Sequence, residues 1–168
     1  MPNSLYQFLA NDHDRIDKLF HHAVDGGIPI DSSAYDEFRK ALLRHISIEE
    51  KIVYPAVLYF QKQKTDPVIT QFRLEHNAIV VLLVPSPSRS IVATLSSILA
   101  RHNSIEEQTD GVYEMLDRLP ESVSGDLLEQ FQNAPEVPIL PTRPLSQVID
   151  AVQRTVSRSG HVFIDQED

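Results

Sequence analysis

Apolar residues recur at helical spacing through most of the first 120 positions of this 168-residue chain. Leu9, His13, Ile16 and Phe20 share one face of a segment covering about residues 4–24. Ser4 and Gln7 suit a capping box at its start, and Gly26-Gly27-Ile28-Pro29 stops it. A second segment runs from about residue 33, where Ser33 and Asp36 repeat the capping pattern, to about residue 63. Its inner stripe reads Phe38, Leu42, His45, Glu49, Ile52 and Ala56, and Pro55 within it predicts a kink. The third opens at Asp66-Pro67, an N-cap followed by proline, and aligns Ile69, Phe72, His76, Ile79 and Leu83 before Pro85-Ser86-Pro87. The fourth starts near Ser88 and carries Ile91, Leu95, Ile98, His102, Glu106 and Tyr113 before Pro120. Four amphipathic helices on short connections predict an all-α fold, an up-down-up-down four-helix bundle.

The stripes are not wholly apolar, and their polar members repeat. Arg-His-x-Ser-Ile-Glu-Glu stands at residues 44–50 and again at residues 101–107. Each copy sets a histidine four residues before a carboxylate, His45/Glu49 and His102/Glu106. On a helix that spacing is about one turn, with a rise of about 6 Å, so both side chains leave the same face. Imidazole nitrogen and carboxylate oxygen together form a metal-ligand set. The other two helices each carry one inward histidine after an acid, Asp12-His13 and Glu75-His76. The chain thus reads as two matched hairpins about a pseudo-twofold axis, with six polar groups converging in apolar surroundings. A single such histidine is ordinarily a hydrogen-bonded core residue, and a single His/Glu pair an ordinary surface pair. Their duplication and inward placement on all four helices point towards a two-halved metal site.

Four neutral imidazoles and two carboxylates carry two negative charges against the four positive charges of two divalent ions. Hydroxide, oxo or another exogenous ligand can offset the remainder. A carboxylate can span two metals about 3.5–4 Å apart. Nitrogen and oxygen ligation without thiolate suits iron and manganese and permits zinc or cobalt.

Residues 121–168 break the pattern and are read as a C-terminal extension to the bundle of residues 1–120. Glu121–Gln132 forms a short helix, and prolines at 135, 138, 141 and 144 predict an extended, polyproline-like strap. Leu145, Val148, Ile149, Val152 and Val156 give an extra helix with one apolar face, to be buried against the bundle or in a homodimer.

A net charge of −9 excludes a nucleic-acid or anionic-membrane partner, since no basic run stands against it. With no cysteine, disulfides, thiolate metal sites and cysteine nucleophiles are excluded. Neither a secretory signal nor an apolar run long enough to span a membrane is visible, so a cytoplasmic location is expected.

His13, His45-x-x-x-Glu49, His76 and His102-x-x-x-Glu106 resemble, over roughly residues 1–120, the hemerythrin or HHE cation-binding domain. The resemblance implies a non-haem di-iron centre, oxo- or hydroxo-bridged, with manganese or zinc as other occupants. It implies Glu49 and Glu106 as bridges, His13 and His45 on one metal, and His76 and His102 on the other. The order also differs from the Glu-x-x-His of ferritin-like bundles. Two positions depart from the oxygen carriers of the family. Val80 stands where they place another histidine one turn after His76. Glu106 and Glu107 both occupy the place of their last carboxylate; Glu106 matches Glu49 in the repeat.

Six protein ligands leave an extra open position, which points away from simple oxygen carriage. The leading expectation is a binding module for a small diatomic ligand, in iron handling, O₂ or NO sensing, or stress response. The alternatives are a di-iron enzyme reducing peroxide or nitric oxide, an iron-centre repair protein, and a structural bundle with one zinc. Of the remaining residues, Glu50 and Glu107 are read as solvated or as partners of the ligands. Arg44 and Arg101 are read as exposed ion-pairing groups, and His21, His22 and His161 as surface residues. Tyr54 and Tyr113 are candidates for hydrogen bonds near the cavity, and Asp12 and Glu75 carry no assignment.

Overall fold

The computed structural model describes residues 4–27 and 29–166. Ile28 of the helix stop and the first three residues of the N-terminus lie outside the described residues. Among the described residues every regular element is helical: α1 Leu5–Val24, α2 Ser32–Ile48, a π-helical turn Glu49–Val53, α3 Tyr54–Phe60, α4 Pro67–Leu82, α5 Arg89–Glu107, α6 Val112–Asp117, α7 Glu121–Gln132 and α8 Leu145–Arg158. None is long and apolar enough to cross a membrane.

The caps follow the sequence signals with two exceptions. Ser4 accepts from the Gln7 backbone at 3.0 Å, but the Gln7 side chain turns to Asn11 and leaves the box half made. The N-cap of α2 is Asp31, whose carboxylate accepts from Ser33 and Ala34. Ser33 is therefore inside the helix, and Asp36 pairs with Arg39. Asp66 and Ser88 cap α4 and α5 as their sequences predict.

The second predicted helix is not continuous. Proline at 55 lacks the N–H that an α-helix needs there. The backbone widens just before it into one π-helical turn, closed by Tyr54 N–H donating to Glu49 O. The extra residue rotates everything downstream by about 100°. The buried positions are accordingly Val53 and Val57, one residue beyond the predicted Ile52 and Ala56, and Tyr54 is brought wholly inside.

The fourth predicted helix also breaks. Gln108 is extended (ψ 164°) and Asp110 is left-handed (φ 60°). The chain then passes so close to the end of α5 that a Cβ on Gly111 would lie 2.5 Å from the Glu106 carbonyl oxygen. Only glycine fits there. Tyr113 therefore sits on the separate helix α6 and not on the α5 stripe.

The core is divided in two. One apolar cluster holds Ile16 and Phe20 of α1, Phe38 and Leu42 of α2, Ile79 and Leu82 of α4, and Ile91 and Ile98 of α5. The other holds Leu5 and Leu9, then Ile48 and Val53, then Ile69 and Phe72, and Val112, Tyr113 and Leu116. On each of the four long helices the predicted polar residues lie between the two clusters.

The extension joins both clusters. Leu127 and Phe131 of α7 enter one, and Val152 and Val156 of α8, which packs on α4, enter the other. Residues 133–144 have no helix; Arg143 N–H donates to Val84 O at 3.0 Å, and Ser86 N–H to Arg143 O at 2.8 Å. Arg39 donates to Leu140 O, and Arg44 to three carbonyls at the end of α7. Arg44 is thus a helix-end donor and not the exposed ion-pairing group its sequence suggested.

Two substitutions test this packing by chemical denaturation. Val156→Ala, at a fully buried side chain, is expected to cost about 2 kcal/mol, while exposed Val162→Ala stays within about 0.5 kcal/mol. Gly111→Ala, forced against backbone, is expected to cost about 1–3 kcal/mol.

Candidate metal centre

All six predicted residues converge. His13 comes from α1, His45 from α2, Glu49 from the π-turn, His76 from α4, and His102 and Glu106 from α5, none more than 6% exposed. His45 Nε2 lies 3.1 Å from Glu49 Oε1, and His76 Nε2 lies 3.1 Å from Glu49 Oε2. Glu106 Oε2 sits 3.6 Å from His13 Nε2 and 3.4 Å from His102 Nε2. Each carboxylate thus reaches a histidine of each half. The two imidazole pairs are near copies: His13 and His45 have ring centroids 4.6 Å apart at 51°, His76 and His102 4.8 Å apart at 52°. Donor atoms of Glu49, His76, His102 and Glu106 lie within 4.8 Å of one another, and so do those of His13, His45 and Glu49.

Every inward histidine turns its other nitrogen to a carboxylate. Nδ1 of His13 meets Glu107 at 2.6 Å, that of His45 meets Asp12 at 2.9 Å, that of His76 meets Glu50 at 2.7 Å, and that of His102 meets Glu75 at 2.8 Å. A proton held on Nδ1 leaves the Nε2 lone pair facing the centre, the tautomer a metal needs. This gives the second glutamate of each repeat its role: Glu50 and Glu107 orient histidines of the opposite hairpin. Asp12 and Glu75 orient histidines within their own.

Two phenols complete the centre. The Tyr113 hydroxyl donates to Glu49 Oε1, lies 3.1 Å from Glu106 Oε2, and stands 3.0 Å from His13 Nε2 and 3.2 Å from His45 Nε2. The Tyr54 hydroxyl donates to Glu106 Oε1 at 2.8 Å and lies 3.4 Å from His76 Nε2. The π-turn delivers Tyr54, and the Gly111 turn delivers Tyr113. Metal bonds of about 2.1 Å at right angles set neighbouring donors about 3 Å apart, the spacing seen here.

The electrostatics also ask for a cation. Glu49 and Glu106 are both wholly enclosed. Burial, then the charge of Glu49, push Glu106 up to about 7. Glu49 is held well below its usual range, because His45 and His76 outweigh its burial. Burial would push both histidines down, but Glu49 and Asp12 hold His45 up at about 10, and Glu49 and Glu50 hold His76 up at about 9. Both imidazoles thus favour their protonated forms beside these carboxylates. Glu49 Oε2 is buried, and its 3.1 Å approach to His76 Nε2 lacks hydrogen-bond geometry. A buried carboxylate oxygen that faces an imidazole nitrogen without a well-formed hydrogen bond fits a metal ion.

A cavity of about 30 Å³ opens onto the centre. His13, His45, His76, His102 and Glu49 line it together with apolar side chains such as Ile16, Phe20, Phe38, Leu42, Ile79 and Leu99, and Asp17 and Asn103 add polar groups to the lining.

One further reading changes. His161 is not a surface residue: its side chain is only 8% exposed and its Nε2 lies 2.9 Å from Glu75 Oε1. Sequence gave no sign of this, because the contact spans 86 positions. Val80 is 38% exposed, and Ile79 lines the cavity as its place on the inner stripe predicted.

No curated protein and no solved structure matches the chain. A model of the hemerythrin HHE cation-binding domain matches residues 4–111, a stretch that includes all six converging residues. With well over half of its length matched, the chain belongs to the hemerythrin HHE cation-binding family.

Proposed function

We propose that the protein is a hemerythrin-like four-helix bundle holding a two-iron centre that binds a small uncharged diatomic ligand. The observation that carries this reading is Glu49: its two oxygens face histidines of opposite halves at the same 3.1 Å. That is the disposition of a bridge between two ions. An up-down-up-down course is supported by the alternation of clusters. Along α1 and α4 the chain passes from the Phe72 cluster to the Phe38 cluster, and along α2 and α5 it returns. Iron is favoured because the donors are imidazole and carboxylate without thiolate.

In this reading His13 and His45 would hold one ion and His76 and His102 the other, and Glu49 and Glu106 would be shared between them. Iron would supply redox-active open positions for the ligand. The protein's own part is to orient and to exclude. Asp12, Glu50, Glu75 and Glu107 fix the ring tautomers, and the largely apolar lining of the cavity limits the water around the centre. Tyr54 and Tyr113 present O–H groups to the carboxylate oxygens and to whatever occupies the space between them. Iron handling, gas sensing and stress response are roles open to such a module. The two buried phenols favour one second reading, an enzyme that reduces peroxide or nitric oxide. A phenol beside the reacting atoms can deliver a proton.

Metal analysis with an optical spectrum of the aerobically purified protein tests the centre. Two irons per chain with near-ultraviolet absorption are expected; a colourless protein with one zinc overturns the proposal. His45→Ala and His102→Ala are each expected to lower the metal content.

Metal binding should also expel protons, because His45 and His76, held up at about 10 and 9, must be neutral to ligate. At pH 8, calorimetry in buffers of different ionisation enthalpy should report about two protons released per chain loaded. Affinity should weaken steadily as pH falls from 9 to 6.

Turnover separates the two readings. Peroxide or nitric oxide consumption that drops about a hundredfold in Tyr113→Phe selects the enzyme. Stoichiometric, reversible binding without turnover selects the module.

A further inference from the structure

Two of the four carboxylates that orient histidines are held in turn by an arginine. Asp12 is held by Arg15 of the same helix at 2.7 Å, and Glu50 by Arg73 of α4 at 3.2 Å. Glu75 differs. Its Oε2 accepts from His102 Nδ1 at 2.8 Å, and its Oε1 lies 2.9 Å from His161 Nε2. His161 stands beyond α8, well outside the residues 4–111 that the family shares.

The local chain is shaped to deliver that contact. α8 ends in a Schellman motif: Gly160 N–H donates to Ser157 O at 3.0 Å, and His161 N–H to Val156 O at 3.2 Å. Gly160 takes the left-handed conformation the motif requires (φ 79°). The turn folds His161 back onto α4. There Gln71 Nε2 donates to both Ser159 O at 2.7 Å and Glu75 Oε1 at 3.1 Å. Beyond it the chain crosses to α5, where Ile164 N–H donates to Thr94 Oγ1 and Gln166 N–H to Ser90 Oγ. The segment therefore bridges the two helices that carry His76 and His102.

We propose that His161 is a positioning residue of the metal centre. It fixes the Glu75 carboxylate, which fixes the His102 ring, so that docking of the C-terminal segment and metal binding strengthen each other. The inference rests on the metal-centre reading above. A carboxylate with one oxygen on His102 and the other on His161 has a single orientation. Without His161 it keeps only Gln71 on that oxygen, and the His102 ring gains freedom it must lose on ligation. Coupling is reciprocal by thermodynamic necessity, so a loaded centre must hold the segment more firmly.

The full chain with two substitutions tests this. Glutamine can place an amide N–H where His161 Nε2 stands; leucine fills similar space with no donor. Chelator competition with cobalt(II), which the same donors accept, gives the affinity, and the visible spectrum of the cobalt protein reports ligand geometry. His161→Leu is expected to bind cobalt about tenfold more weakly, with a shifted spectrum. His161→Gln should stay within about threefold of wild type. Hydrogen exchange of residues 159–164 should slow on loading in wild type and His161→Gln but not in His161→Leu.

Wild-type affinity and spectrum in His161→Leu overturn the inference. So does an equal loss in both variants, which marks a packing role alone. If the wild-type chain takes up no metal, the metal-centre reading falls, and this inference with it. Uptake by wild type with an unaffected leucine variant removes only the inference.

Discussion

Two buried carboxylates set the terms for this protein. Glu49 and Glu106 sit in the middle of an apolar bundle, each less than 2% exposed. Removing one such ion from water costs several kcal/mol unless cations or hydrogen bonds compensate. Glu106 registers the strain by rising to about 7, under burial and the charge of Glu49. Everything around them answers that charge. Four imidazoles face the pair, two phenols donate to it, and each imidazole is backed by a further carboxylate.

The backing carboxylates also join the halves. Asp12 and Glu75 act within a hairpin, whereas Glu50 and Glu107 reach across to His76 and His13. The polar layer is thus a closed ring between two apolar clusters. Such a ring specifies register: sliding one helix by a turn would part several short hydrogen bonds at once and leave buried charges unpaired. The C-terminal segment adds a fifth attachment through His161, which ties a part of the chain beyond the family's shared length to the same ring.

The deviations from regular helix serve this layer. The π-turn before Pro55 and the tight turn at Gly111 each interrupt a helix just after a carboxylate of the centre. Each interruption swings a tyrosine inward that an unbroken helix would have aimed elsewhere. Without the extra residue of the π-turn the inward positions would be Ile52 and Ala56, and Tyr54 would lie about 100° from its observed direction.

The sequence by itself determined the helical class, the inward stripes as far as Glu49 and Glu106, and the six residues that converge. Periodicity reports which face is buried, and a duplicated His-x-x-x-Glu can meet in only a few ways when both copies lie on inward faces. It determined the family as well. Tertiary structure alone decided what surrounds those six. Nothing in the spacing of Asp12, Glu50, Glu75 and Glu107 says which histidine each one holds, because the pairing depends on how helices cross. The Tyr113 hydroxyl reaches Glu49 across 64 positions, and His161 reaches Glu75 across 86. Contacts between distant segments leave no periodic trace in the chain. The converging residues were legible because they recur at local helical spacing; their supports were not, because packing brings them together.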